Sequence, residues 1–216
     1  MKVKLIKTGT YKRLTFWSWL LILICLILAI LLFFRKVYGF LAENKPVETK
    51  LYVIEGYVPD FIIKQAVEYI TIAGFDKIIC SGLPISKGIL CSEYANYSDY
   101  NASIVLSEGV DPLQVISAPA VPVERDRTYA MALSVKNKLV ESGYNGGKIN
   151  LICSNVHGRR SRILFEKAFG DTWEIGVISF PEGGYPSDRW WRSSEGVKDI
   201  LTEVFSYVYT ILFFHP

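Results

Sequence analysis

From Leu14 to Phe34 the chain runs for 21 residues, LTFWSWLLILICLILAILLFF, without a single charge. At about 1.5 Å per residue such a run spans a hydrocarbon core of about 30 Å, so a transmembrane helix is predicted. A cleaved signal peptide would carry an apolar stretch of roughly 7–15 residues and a small-x-small cleavage site. This run is longer and is followed by Arg35-Lys36-Val37-Tyr38, which argues for an uncleaved anchor. Lys2, Lys4, Lys7, Lys12 and Arg13 precede it with no acid, whereas the far side mixes Arg35, Lys36, Lys45 and Lys50 with Glu43 and Glu48. Positive charge favours the cytoplasmic side, which predicts a single-pass protein with its N-terminus inside and the rest outside the cytoplasm. Trp17 and Trp19 then sit near the inner interface, where indole rings concentrate. The reading divides the chain into a basic tail at 1–13, the span at 14–34, a linker at 35–49 and a folded domain at 50–216.

Half of the residues are apolar and 21% are charged, too hydrophobic a balance for a disordered chain. The formal net charge of +3 conceals a division. Residues 1 to 36 hold seven of the 24 basic residues and no acid, leaving 17 basic against 21 acidic residues beyond them. The folded part is therefore acidic, which argues against a nucleic-acid partner, since such domains are basic.

Short apolar runs at Leu51–Ile54, Lys77–Cys80, Gln114–Ser117, Ile149–Cys153 and Glu174–Ser179 read as five strands. Helical patterns at Pro59–Ala73, Glu93–Glu108, Glu124–Ser142, His157–Phe169 and Ser194–Phe214 alternate with them. Gly74, Gly109, Gly143 and Gly170 fall where the first four of these helices should stop. This alternation predicts a Rossmann-like, doubly wound and mainly parallel five-stranded α/β sheet. In the last helix, Val204 to Phe214 is apolar almost all round. We expect it to be buried against the sheet; the alternative is a helix resting at a membrane surface, where Tyr207 and Tyr209 suit the interface.

Ligands of open parallel sheets bind beyond the carboxyl ends of the strands, and unusual residues follow each strand here. They are Glu55-Gly56, Ser81-Gly82, Glu124-Arg125-Asp126-Arg127, Ser154-Asn155-Val156-His157-Gly158-Arg159-Arg160 and, after a Gly/Pro loop, Arg189-Trp190-Trp191-Arg192. All seven arginines beyond residue 36 fall in three short segments, while the lysines there are scattered. A planar guanidinium suits bidentate capture of phosphate or carboxylate, so Arg125, Arg127, Arg159, Arg160 and Arg192, with Gly56 and Ser154, are the candidate anion-binding residues. The competing reading is an internal network in which Glu124, Asp126, Glu195 and Glu203 consume the arginines. His157, the only histidine inside the domain apart from the penultimate His215, is the candidate general acid/base, with Glu55, Glu124 and Asp126 as candidate carboxylate partners. A histidine at a strand end can equally serve only to orient a loop. Ser154 lacks a GxSxG elbow and reads better as a backbone cap than as a nucleophile. Trp191, with Trp190, either stacks on a sugar or isoprenoid or seals the sheet edge.

Neither CxxC nor HExxH nor paired histidines occur, so no metal site is expected. Neither GxGxxG nor GxxxxGK[ST] occurs, and no cofactor is expected. Cys80 and Cys91 flank a short loop and could pair outside the cytoplasm or serve as small core residues.

The stretches VIEGYVPD at 53–60, VERDRTYAMAL at 123–133, NVHGRRSRILFEKAFG at 155–170 and WWRSSEGVKDILTEVFSYVY at 190–209 carry a resemblance. The chain from Leu51 onward resembles the SanA/ElyC/YdcF-like proteins, a bacterial domain of unknown function often carried on one N-terminal transmembrane helix. Many members have a Gly-rich turn after the first strand, a Thr/Glu-Asn motif in the middle and a His-x-x-Arg near the fourth strand. Glu55-Gly56-Tyr57 replaces the first of these and Asp126-Arg127-Thr128-Tyr129 the second, while His157-Gly158-Arg159-Arg160 fits the third. The resemblance implies a Rossmann-like sheet and a role in the bacterial envelope, in barrier function, peptidoglycan assembly or lipid-carrier metabolism.

Three functions follow as expectations. The first is a protein of the bacterial inner membrane that binds a phosphorylated lipid-linked or glycan intermediate, with its hydrolysis or transfer left open. The second is a non-catalytic binding or scaffold module, and the third a binder of a nucleotide-like ligand, which rests on fold analogy alone. Oligomeric state is left open.

Overall fold

The computed structural model describes residues 15–85 and 93–216. The chain divides into two compact units, Met1–Lys36 and Val37–Pro216. The predicted basic tail and the partner Cys91 of the proposed disulfide lie outside the described residues; Cys80 is a buried core thiol, and burial raises its pKa.

Helix α1 covers Phe16–Leu41 and is long and apolar enough to cross a membrane. It does not stop at Phe34, and this corrects the linker predicted at 35–49. Val37 and Leu41 are buried in the second unit, at 6% and 1% exposure, so the last turn of α1 already belongs to the domain. The stretch after it is also held down. Lys45 forms an antiparallel bridge to Val177, and the side-chain amide of Asn150 exchanges hydrogen bonds with both the N–H and the carbonyl of Val47 at 2.8 Å. These tethers are backbone interactions, which polar residues without periodicity do not advertise.

The domain is the predicted alternation: β1 (Leu51–Ile54), α2 (Asp60–Ala73), β2 (Lys77–Gly82), α3 (Tyr97–Ser107), β3 (Val115–Pro119), α4 (Arg127–Glu141), β4 (Gly147–Ser154), α5 (Gly158–Phe169), β5 (Trp173–Phe180) and α6 (Ser194–Leu212). All five strands are parallel, in the order β3-β2-β1-β4-β5. Side chains alternate across a strand, and the two faces build two separate cores. Leu51, Val53, Ile149, Leu151 and Val177 pack with Val135 and Leu139 of α4 and Phe165 and Phe169 of α5. Tyr52, Ile54, Ile78, Ile152 and Ile178 pack with Ile62, Ile63 and Ile70 of α2 and Val105 of α3. The sheet is therefore doubly wound, and continuously apolar strands such as LYVI follow from burial on both faces.

Two helix starts lie downstream of the expected positions for local reasons. Asn96 caps α3 by accepting the Asp99 N–H at 2.8 Å, so the helix begins at Tyr97 rather than Glu93. The left-handed backbone of Asp126 (φ 57°) delays α4 until Arg127.

The expectation that α6 is buried against the sheet is not met. Its buried positions are Gly196, Ile200, Glu203 and Thr210, and Leu201, Phe205, Val208, Tyr209 and Leu212 are exposed. The sheet faces are already covered by α2 to α5, so α6 packs outside them, beside α5 and the loops that follow β4 and β5.

Candidate functional site

The chain turns back between β1 and β4: from β1 it winds to β2 and β3 on one side, then returns to β4 and β5 on the other. At such a switch point the loops leaving the two strands diverge and open a crevice. Glu55 extends β1 by donating its N–H to Ile152 at 3.1 Å, and its carboxylate is 3% exposed. Ser161 Oγ of α5 lies 2.9 Å from both carboxylate oxygens, which share its single O–H. Gly56 follows because a Cβ there would stand 2.7 Å from Met131 Sδ and 3.0 Å from Gly82 Cα, so only glycine lets the ends of β1 and β2 approach.

Three non-glycine residues have left-handed backbone among the described residues: Tyr57 (φ 67°), Asp126 (φ 57°) and Asn155 (φ 49°). They follow β1, β3 and β4 respectively, all on the carboxyl rim of the sheet. Such conformations cost about 1–3 kcal/mol and persist where surrounding contacts enforce them, commonly at functional sites. The contacts are visible for Asn155. Its Oδ1 accepts from Tyr38 Oη at 2.9 Å, and its amide donates to Tyr185 Oη at 2.7 Å and toward Asp199 Oδ2 at 3.4 Å. This fixes the 3₁₀ turn Asn155–His157 and with it the start of α5.

The rim loops and α6 enclose a cleft of about 680 Å³. Glu55, Gly56, Arg125, Asp126, Arg127, His157 and Arg160 all line it, so seven of the eleven candidate residues come together. The opposite wall consists of Thr202, Glu203, Phe205, Ser206, Tyr209 and Thr210 of α6.

Other candidates lie elsewhere. Arg159 is drawn to α1: it is ion-paired to Glu43 at 3.2 Å, donates to the Phe40 carbonyl and lies 4.1 Å from the centre of the Phe40 ring. Being adjacent in sequence on a helix, Arg159 and Arg160 point about 100° apart, so one cannot follow the other into the cleft. Ser154 lines a smaller neighbouring recess of about 210 Å³, shared with His157, Glu182 and Asp199. Arg192 and Trp191 sit on the turn Ser187–Arg192 and line neither cavity; Trp190 is the buried member of that pair, at 2% exposure.

The residue that organises the cleft is Glu203, which sequence reasoning placed only among possible counter-ions. It is 2% exposed and receives His157 Nδ1 at 2.7 Å and Arg160 Nε at 2.6 Å. Glu203 stands at the edge of the apolar run Val204–Phe214, where a carboxylate that becomes buried must find partners, and that rule is the signal by which it could have been found. Burial works against its ionised form, but the hydrogen bonds and positive charges of His157 and Arg160 outweigh it and hold the Glu203 pKa below the ordinary range. For His157 the crowding of the ring and the charge of Arg160 disfavour the cation. The bond and charge of Glu203, helped by Glu55, prevail and raise its pKa. One edge of the ring is nevertheless open, since the side chain is 49% exposed.

The tautomer follows from this arrangement. With Glu203 ionised, Nδ1–H donates to Oε2, and Arg160 Nη2, 3.3 Å from the same oxygen, shares it rather than bonding the ring. Nε2 has no hydrogen-bond partner among the described residues and is the position where a proton can be exchanged. A carboxylate, an imidazole and an open second nitrogen are the arrangement that acid/base chemistry requires, with Glu203 orienting His157 and favouring its charged form. Arg125 and Arg127 are exposed and form no ion pair among the described residues, in contrast to Arg159, Arg160 and Arg162, which Glu43, Glu203 and Glu166 neutralise. Among the described residues there is no cluster of three or more His, Cys, Asp or Glu that could hold a metal ion.

Neither a family model nor a curated protein sequence matches the chain.

Proposed function

We propose that this chain is a membrane-anchored protein of the bacterial envelope whose cleft binds a phosphorylated, hydroxyl-rich ligand, a glycan or lipid-linked intermediate, with the His157–Glu203 dyad moving protons on it. The observation that carries the reading is the loop Glu124-Arg125-Asp126-Arg127, which lines the cleft with alternating charge and whose two arginines have no counter-ion among the described residues. Guanidinium groups free of internal partners suit phosphate oxygens. The interleaved carboxylates accept from hydroxyl groups, as a sugar would require. The SanA/ElyC/YdcF-like resemblance supports the envelope setting, and the apolar helix with its basic start supports an N-inside, single-pass anchor in the inner membrane with the domain outside the cytoplasm.

A second reading has its own observation. Of the three arginines in α5, all are neutralised by carboxylates, and Glu203 also occupies His157. That pattern suits a rigid, non-catalytic binding module whose ion pairs hold α5 in place. Mass spectrometry of material that copurifies with the detergent-extracted chain separates the possibilities. A phosphorylated species retained by the native chain and lost from an Arg125→Ala/Arg127→Ala variant is the expected result; a species retained equally by both would refute the anion site.

A further inference from the structure

Helix α6 is built inside out. Its inward positions are Gly196, Ile200, Glu203 and Thr210, while Leu201, Phe205, Val208, Tyr209 and Leu212 stand outward at helical spacing, with Phe205 73% and Leu212 60% exposed. A helix facing water carries its apolar residues on the other side, and a contiguous exposed apolar stripe marks an interaction surface. A second observation says what covers it. Phe40 stands four residues beyond Lys36, about 6 Å along a helix, and its ring meets that of Tyr207 of α6 at 5.3 Å in an edge-to-face contact. Lys36 closes the apolar run, and the very next residue, Val37, is already buried in the domain. No free linker separates the apolar run from the domain, so a bilayer that holds the run is the surface nearest to the domain along the chain.

We propose that the outer stripe of α6 lies flat in the interfacial layer of that bilayer. From Leu201 to Leu212 the stripe extends roughly 17 Å, too short to span a hydrocarbon core and fitted to lie in its plane. Tyr209 contributes an amphipathic ring of the kind enriched at that depth. Phe205 and Tyr209 also line the cleft, so this wall of the cleft borders the headgroup layer, whatever the cleft holds.

The test uses the full chain reconstituted in phosphatidylcholine vesicles, with a nitroxide label at Phe205→Cys, Val208→Cys or Leu212→Cys and at Gln65→Cys on α2 as an exposed control. Cys25→Ser and Cys91→Ser remove competing thiols; Cys80 and Cys153 are buried. Collision with oxygen, which partitions into lipid, is compared with collision with a water-soluble nickel chelate. The expected result is an oxygen-to-nickel ratio several-fold higher at 205, 208 and 212 than at 65. A ratio at all three equal to that at 65 would overturn the proposal in favour of a surface facing water. Spin–spin broadening at 205 that disappears on dilution with unlabelled chain would overturn it in favour of a second copy.

Discussion

Replacing Glu203 by Gln keeps the shape of the side chain and removes the charge that organises the cleft. In the native chain Glu203 outweighs both the crowding of His157 and the charge of Arg160, and the His157 pKa lies above 6.5. In E203Q the two opposing effects remain and only Glu55 still favours the cation, so the midpoint should fall below that of the native chain. The stability cost follows from the two bonds. A charge-assisted hydrogen bond contributes about 1.5–3 kcal/mol. The Arg160 bond, with side chains 15% and 3% exposed, should account for most of that, and the His157 bond for less because its ring is half open to solvent. For a domain of this size the loss corresponds to roughly 3–12 °C in Tm. The raised His157 pKa contributes stability that is complete below about pH 6.5 and fades as pH rises through the folded value, whereas the lowered Glu203 pKa contributes stability that is complete above about 4.5 and fades as pH falls through the folded value. The difference between native and E203Q chains should therefore be widest between these limits, narrow somewhat above them as the histidine discharges, and vanish in acid. NMR titration of the His157 imidazole in detergent, with His215 as internal reference, reads the first effect, and thermal melts at several pH values read the second. An unchanged or raised His157 midpoint in E203Q would refute the dyad.

Other outcomes follow from contacts at the rim. Arg159→Ala should lower Tm through loss of its partly buried pairing with Glu43 while leaving ligand affinity unchanged; a tenfold loss of affinity would return Arg159 to the site. Gly158→Ala places a Cβ 2.0 Å from Ser179 Oγ and 3.0 Å from the Glu43 carbonyl, and overpacking of this kind costs about 1–3 kcal/mol, measurable by thermal melting. Asn155→Ala should destabilise by more than Asn155→Gly, because both lose the bonds to Tyr38 and Tyr185 but only alanine must also bear the left-handed backbone. Equal melting temperatures for the two would contradict that assignment.

The order of elements and the doubly wound sheet were readable from the sequence because strands such as LYVI and NLICS and the terminating glycines report burial and backbone conformation locally. Convergence of residues after different strands was readable for the same reason, since parallel strands deliver every following loop to one edge. What failed depended on direction around a helix and on partners distant in sequence. Arg159 and Arg160 looked equivalent in a string, yet one meets Glu43 and the other Glu203. The segment at 35–49 read as a linker because α1 continues through its first part and the attachments of the rest run through backbone groups and Asn150. Apolar composition in α6 suggested burial, although the sheet faces were already filled by the four preceding helices of the domain.

Calorimetric titration of pyrophosphate into the detergent-solubilised full chain tests the central claim most directly, with Arg125→Ala/Arg127→Ala and Arg159→Ala as paired variants. The account predicts saturable binding by the native chain and by Arg159→Ala, weakened in the double variant by roughly 1.5–3 kcal/mol for each charged hydrogen bond lost. Undiminished binding by the double variant, or loss of binding in Arg159→Ala alone, would contradict it.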